Sequence, residues 1–213
     1  MSVPTALVTC GPAYEPLDDV RRITNHSTGE LGALLCEALA EAGFAVTCLR
    51  GVLATHPAPK SARVIPFTTN TSLQEILEGI EPPDAVFHAA ALCDFRFAGP
   101  ATGKVRSDLP EWHLVLHPAP KLLPLLRPLF PEALIVGWKY EVEGEREEAL
   151  ARGRHQIAKN NTDACVVNGP AYGPGLGLLE PDQFTHFSSR REFCLNLAKW
   201  SAARVAPHHQ PNR

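Results

Sequence analysis

Apolar residues along the chain fall into two alternating periods. Short apolar runs at Leu7-Val8-Thr9-Cys10, Ala45–Leu49, Arg63–Phe67, Asp84–Ala91, Ala133–Trp138 and Asp163–Asn168 are flanked by Gly, Pro or Asn, as buried strands are. Between them lie helical patterns. Leu31, Leu34, Leu35, Ala38, Leu39 and Ala42 recur on one face, and Gly43 closes that helix. Thr71 to Leu77 opens a shorter helix, Lys121 to Phe130 a Pro-punctuated one, and Glu145 to Lys159 a charged one. Ser188-Ser189-x-x-Glu192 reads as the cap of a last helix ending near Arg204. Ser27-x-x-Glu30 reads as a capping box for the first helix. Pro66 assigns the third strand to a sheet edge or a strand end. Trp112 to His117 alternates like a strand, and Gly173 to Gly177 reads as a flexible loop before a hairpin near Phe184–Phe187.

This alternation predicts an α/β fold: one Rossmann-like, doubly wound and mostly parallel sheet with helices on both faces. Residues 1–205 are expected to form a single domain, and 206–213 a frayed tail. Ligands of such sheets bind outside the carboxyl ends of the strands. The residues capable of chemistry follow those ends: Gly11, then Arg21 to Ser27, Ala90 to Lys104, Trp138 and Asn168.

Composition narrows the class. A formal charge of −3 over 213 residues argues against a general nucleic-acid binder. Six cysteines are scattered through apolar runs with no C-x-x-C pair, the usage of small core residues in a reducing compartment. There is no signal-peptide pattern and no apolar run of membrane-spanning length, so a cytoplasmic protein that does not enter membranes is expected.

The stretch Arg21-Arg22-Ile23-Thr24-Asn25-His26-Ser27-Thr28-Gly29-Glu30 places cationic, amide and hydroxyl groups before a helix start, where free N–H groups and the macrodipole favour an anion. Arg21, Arg22, Lys104 and Arg106 suit a phosphorylated substrate or a nucleoside triphosphate, or are solvated surface charges. Asn25 suits donation to a carbonyl or acyl-phosphate oxygen, or a simple turn. Asp94 suits an exocyclic amine or a hydrated metal, or a cap. No G-x-x-x-x-G-K-S/T, G-x-G-x-x-G, G-x-S-x-G or H-E-x-x-H occurs, and the nine histidines have no zinc-ligand spacing, so no protein-held metal is expected.

At these residues the chain resembles the phosphopantothenoylcysteine synthetase family, the second half of bacterial bifunctional coenzyme A biosynthesis flavoproteins. Glu15-Pro16-Leu17-Asp18 and Val20-Arg21-Arg22-Ile23-Thr24-Asn25-His26-Ser27-Thr28-Gly29 follow its E-P-I/L-D and V-R-x-I-S/T-N-x-S-S/T-G. His88-Ala89-Ala90-Ala91-Leu92-Cys93-Asp94-Phe95 follows H-A-A-A-V-x-D-Y/F, Lys104 opens the K-x-K-K loop, and Asp163 to Asn168 follows D-x-x-V-x-N. The resemblance implies a ligase joining 4′-phosphopantothenate to cysteine, with CTP (or ATP) and Mg2+, through an acyl-nucleotide that the cysteine amine attacks. It implies that Asn25 holds the acyl intermediate, Arg21 the pantothenate side and Lys104 the triphosphate. Gly11, Ser27, Gly29, Ala89, Ala90, Ala91, Asp94, Arg106, Lys159 and Asn168 would line the substrates, and Trp138 would stand for a base-stacking Phe. A homodimer whose subunits complete each other's sites is also implied. Because the first strand begins almost at Met1, the family's decarboxylase module is expected to be a separate partner, and no FMN is expected here.

Four stretches differ from the family pattern, the first being its opening G-G-T-R, here Gly11-Pro12-Ala13-Tyr14. K-x-K-K is Lys104-Val105-Arg106-Ser107, N-P-D-I/L is His117-Pro118-Ala119-Pro120, and G-F-A-A-E-T is Gly137-Trp138-Lys139-Tyr140-Glu141-Val142. Two further functions stay open on the sequence. One is a binding homologue that has lost nucleotide activation; the other is an NAD(P)-dependent oxidoreductase, suggested by the fold and by Arg50.

Overall fold

The computed structural model describes residues 3–99 and 101–205, so Met1 and the expected 206–213 tail lie outside the described residues. Six parallel strands form the body of the sheet: β1 (Thr5–Cys10), β4 (Ala45–Gly51), β5 (Ala62–Phe67), β6 (Ala85–His88), β9 (Leu134–Tyr140) and β10 (Ala164–Asn168). Two antiparallel strands, β11 (Leu176–Leu179) and β12 (Phe184–Phe187), extend it to the order β12-β11-β10-β9-β6-β1-β4-β5. The edge position of β5, which carries Pro66, agrees with the expectation from that proline, whose missing N–H leaves no ladder bond unmet there. The run 173–177 is not all loop: Leu176 and Gly177 already belong to β11, where Gly177 pairs with both Val167 and His186.

Period-two alternation sorts the strand residues between two cores. Ala6, Val8, Phe87, Val136 and Val166 face α1 (Glu30–Glu41) and α5 (Arg190–Ala202), packing with Leu35, Leu39, Phe193 and Leu197. Leu7, Val86 and Ile135 face the opposite layer, where α2 (Asn70–Gly79) supplies Leu73 and Leu77, and α3 (Leu123–Leu129) supplies Leu126. On that same side Cys165 and Val167 pack with Ala149 and Ile157 of α4 (Arg146–Asn160). All six cysteines are buried and free, as small core residues.

One expected cap forms, one expected cap does not, and α4 carries a cap that the sequence reading does not name. Ser189 accepts from the Glu192 N–H at 3.2 Å, and α4 has a reciprocal Glu145–Glu148 capping box. At α1 the expected Ser27–Glu30 box is absent. Gly29 is the cap residue, with a left-handed φ of 78° and no side-chain cap bond, and Glu30 is already the first helical residue. The chain turns into α1 through a glycine conformation that Ser27 cannot supply, so the first-turn N–H groups are left largely uncapped.

Two small hairpins stand beside the sheet. β2 (Tyr14–Pro16) pairs with β3 (Arg22–Thr24), and β7 (Phe95–Phe97) pairs with β8 (Leu116–Pro118). The alternating run at Trp112–His117 is therefore a strand only at its end: the register begins at Leu116, and Val115 adds one carbonyl that accepts from Ala98 N–H at 3.3 Å.

Candidate functional site

The chain lays down β1, β4 and β5 on one side, then crosses back to place β6 on the other side of β1. That crossover makes a crevice between the ends of β1 and β6, the place where open α/β sheets take ligands. A cleft of about 700 Å³ opens there. Cys10 and Gly11 form its floor at the end of β1; Asn25 to Gly29 and the first turn of α1 form one wall. Ala89, Ala90, Ala91 and Leu92 form the other, with Asp94 beyond them, and Trp138, Lys139, Tyr140 and Asn168 close the far end.

The alanine run is shaped by the backbone. Strand β6 stops at His88, but Ala89 N–H donates to the Thr9 carbonyl at 3.1 Å and Ala91 N–H to the Gly11 carbonyl at 3.0 Å. The chain thus continues along β1 as an irregular extension, with side chains small enough for a ligand to approach. Asn25 ties the opposite wall to it: its Nδ2 donates to the Leu92 carbonyl at 2.6 Å. Asp94 is exposed and paired with Lys121, and its carbonyl accepts from Ala119 N–H at 2.9 Å.

Under the wall, His88 Nδ1 lies 3.0 Å from Thr9 Oγ1, which also accepts from Ala90 N–H at 3.2 Å. Burial pushes the His88 pKa down to about 4 from 6.5. The unfolded chain therefore binds a proton near pH 6.5 that the folded chain refuses until about pH 4. Stability falls as pH drops through that window, by about 2–3 kcal/mol from this group. Denaturant unfolding of His88→Asn is expected to lose that part of the slope; an unchanged difference between pH 7 and pH 4.5 would show that His88 is not the group responsible.

No thiol in the cleft is set up as a nucleophile. Cys10 Sγ lies 3.5 Å from Cys48 Sγ, and that contact together with burial pushes its thiol well above the usual range. The cleft instead offers polar atoms awaiting partners. Trp138 Nε1 and Asn168 Oδ1 are both buried without a hydrogen bond. Trp138 pairs in register with Val166 and Asn168 with Tyr140, so the two side chains lie diagonally on one sheet face, a donor and an acceptor. Trp138 is also held edge-on by Phe193, with centroids 6.2 Å apart.

Of the residues singled out from the sequence, Gly11, Asn25, Ser27, Gly29, Ala89, Ala90, Ala91, Asp94, Trp138 and Asn168 meet in this cleft. Arg21, Lys104, Arg106 and Lys159 do not line it. Arg21 donates to Asp18 Oδ2 and to the Val105 carbonyl, both at 3.0 Å, and its guanidinium lies 5.4 Å from the centre of the Trp112 ring. Lys104 and Arg106 are exposed on the same loop, Arg106 paired with Asp108. Lys159 lies in a neighbouring groove along α4. The altered stretch at His117–Pro120 does not line the cleft either; Ala119 is buried behind Asp94, whose carbonyl its N–H meets. Gly32, Lys139, Gln156 and Arg190 are among the lining residues that the sequence does not single out. Gly32 lies in the first turn of α1, between the apolar positions Leu31 and Leu34 of the helical pattern. Lys139 stands in a motif read only for its bulk, and Gln156 and Arg190 lie on helices whose approach to the cleft only the tertiary fold sets.

Among the described residues no group of three or more His, Cys, Asp or Glu is placed to hold a metal ion, and no helix is long and apolar enough to cross a membrane.

Comparison with known proteins gives this arrangement a setting. The bifunctional coenzyme A biosynthesis protein CoaBC of Thermococcus kodakarensis is 33% identical over 172 residues, covering 76% of this chain and 40% of the relative's own length. The chain thus corresponds to less than half of that two-activity protein. The DNA/pantothenate metabolism flavoprotein of Streptococcus pneumoniae has a crystal structure that superposes with a TM-score of 0.84 at 23% identity, over 95% of this chain and 100% of that one. A Cab2 mutant in complex with phosphopantothenate-cysteine superposes at 0.75 with 19% identity, over 95% and 87%. These two likenesses carry the fold, eight strands in a mostly parallel sheet flanked by helices. The family model described as the C-terminal domain of the DNA/pantothenate metabolism flavoprotein matches residues 1–206, and to that family the chain belongs.

Proposed function

We propose that the chain is a phosphopantothenate–cysteine ligase working through an acyl-nucleotide, with CTP or ATP as the activating co-substrate. The observation that supports this most is the convergence of Asn25, the largely uncapped first turn of α1 and the Ala89–Ala91 wall in one crevice, from segments far apart in sequence. That set has anion-binding and amide groups but no enzymic nucleophile, which suits two substrates reacting directly with each other. A carboxylate oxygen of the acid attacks the α-phosphorus and pyrophosphate leaves. The cysteine amine then attacks the acyl carbon, the nucleoside monophosphate leaves, and the amine loses a proton. Mg2+ arrives with the nucleotide as part of that substrate. Holding carboxylate and phosphate in line against their like charge contributes roughly 7–11 kcal/mol, and fixed N–H and amide dipoles stabilise the charge that builds on the leaving oxygens.

A second copy of the chain fits the rest of the reading. Arg21 and Lys104 belong to a flap built by the two hairpins, which exposes Val20, Ile23, Phe95, Val115 and Leu116. Such a run of exposed apolar side chains suits burial against a partner subunit, whose cleft Lys104 would then enter. Sedimentation as a monomer at micromolar concentration would remove this part of the reading.

The ligase reading is tested by pyrophosphate release with 4′-phosphopantothenate, cysteine and Mg2+, comparing CTP with ATP. Release requiring the acid and one nucleotide is expected. Silence with both nucleotides from folded protein would leave the binding homologue, a reading favoured by the distance of Lys104 and Arg106 from the cleft of their own subunit.

A further inference from the structure

Lys139 is a cation that no sequence motif assigned, and its surroundings set it apart from every other charge in the cleft. It lines both the cleft and a second groove of about 580 Å³ that runs from the cleft along α3 and α4. Lys121, Arg152, His155 and Lys159 also line that groove, and among the described residues no carboxylate does. Cleft and groove meet at Lys139 and Gln156, whose Nε2 donates to the Trp138 carbonyl at 3.3 Å.

Lys159 and His155 line the groove but not the cleft, and among the cations at the cleft charge balance decides which is available. Lys121 is neutralised by Asp94, and Arg190 by Glu30 at 3.1 Å. Lys139 and Arg152 instead share one carboxylate, Glu141, which lies 3.0 Å from Lys139 Nζ and is 12% exposed. The next acid, Glu148, comes only within 4.0 Å of Arg152. An anion that draws Lys139 away leaves Glu141 still neutralised by Arg152, so no buried charge is stranded. Taking Arg190 or Lys121 would free an acid inside the cleft to repel the same anion. Lysine is suited to such a transfer, being a compact charge on a flexible stem.

We propose that Lys139 is the residue that receives the polyphosphate of the activating nucleotide at the junction of cleft and groove, with Glu141 as its positioning partner. This rests on the ligase reading above. The family pattern has a small residue at this position, so the charge belongs to this chain.

The test is isothermal titration of the full chain with CTP, ATP and inorganic tripolyphosphate, each with Mg2+, for wild type, Lys139→Ala and Lys139→Arg. Lys139→Ala is expected to weaken tripolyphosphate and the bound nucleotide alike, by about tenfold or more, and Lys139→Arg to keep most of the affinity. Should the alanine variant not fold, Lys139→Met keeps the apolar stem and takes its place. Wild type that binds while Lys139→Ala stays within about twofold overturns the inference and leaves the ligase reading standing. Loss of nucleotide with tripolyphosphate binding kept also overturns it, because the contact is then with base or sugar. Wild type that binds neither nucleotide sinks the ligase reading, and the inference with it.

Discussion

Asn25→Asp is expected to reduce ligase turnover by about 100-fold or more, the scale of removing one preorganised donor from a site of developing negative charge. Asn25 Nδ2 donates to the Leu92 carbonyl at 2.6 Å and so bridges the two walls of the cleft. Aspartate has the same shape but no donor, and it sets a carboxylate oxygen against that carbonyl. The loop from Asn25 to Gly29 then loses its tie to the alanine wall. A new negative charge also faces the place where acyl phosphate is to be held. The first effect opens the cleft and the second repels its contents, so the rate of pyrophosphate release and the transfer to cysteine both fall. Asn25 is exposed, so global stability is expected to change little. The measurement is single-turnover pyrophosphate release followed by product formation, with thermal melting as control. Turnover within about threefold of wild type, less than 1 kcal/mol in barrier, would show that Asn25 only closes a turn.

The parts of this site that were legible in the sequence are those that local physics writes down. Glycines and small residues after apolar runs mark strand ends, and six strands with their intervening helices fix which ends converge. That sufficed to bring together Gly11, Asn25, Ala89 to Ala91, Trp138 and Asn168. The α1 cap departs from its motif because Ser-x-x-Glu is a local signal, while the entry of this helix is set by Gly29 passing close to Gly11 and Ala54. The expected cations stay outside the cleft of their own chain for a related reason. Lys104 and Arg106 sit on a long loop whose path depends on Asp18: this buried carboxylate accepts from the N–H groups of Val20, Arg21 and Val105 at 2.9, 2.7 and 3.1 Å. Burial raises its pKa, but those bonds and the Arg21 guanidinium outweigh it and hold the carboxyl below its usual range. Spacing in sequence says nothing about such a long-range tie. Lys139 was visible as a departure from a motif, yet its meaning needed Glu141, Arg152 and the groove together.

Gly32→Ala is expected to destabilise the fold by about 1–3 kcal/mol, or roughly 2–12 °C in melting temperature, and to cost ligand binding beyond that. A Cβ at this position would fall deep inside contact with Cys10 Cβ and at 3.3 Å from Cys10 Sγ. Neither side has room to give. Cys10 is buried in β1 against Cys48, and α1 is pinned from behind by Leu35 and Leu39 in the core that α5 completes. The helix must therefore lift from the sheet at its N-terminal end, the same end whose free N–H groups face the cleft. Stability and binding are thus coupled through one contact, and valine, with its branched Cβ, is expected to prevent folding. Gly79→Ala is the control: nothing lies within 4 Å of its added Cβ, so its change is expected to stay within about 0.5 kcal/mol. Thermal melting of both variants, with and without the nucleotide that supports pyrophosphate release, separates the two effects. Gly32→Ala melting like wild type would mean that α1 does not cross β1 at this distance. A lowered melting temperature with the nucleotide-induced shift fully retained would mean that the first turn of α1 does not hold the anion.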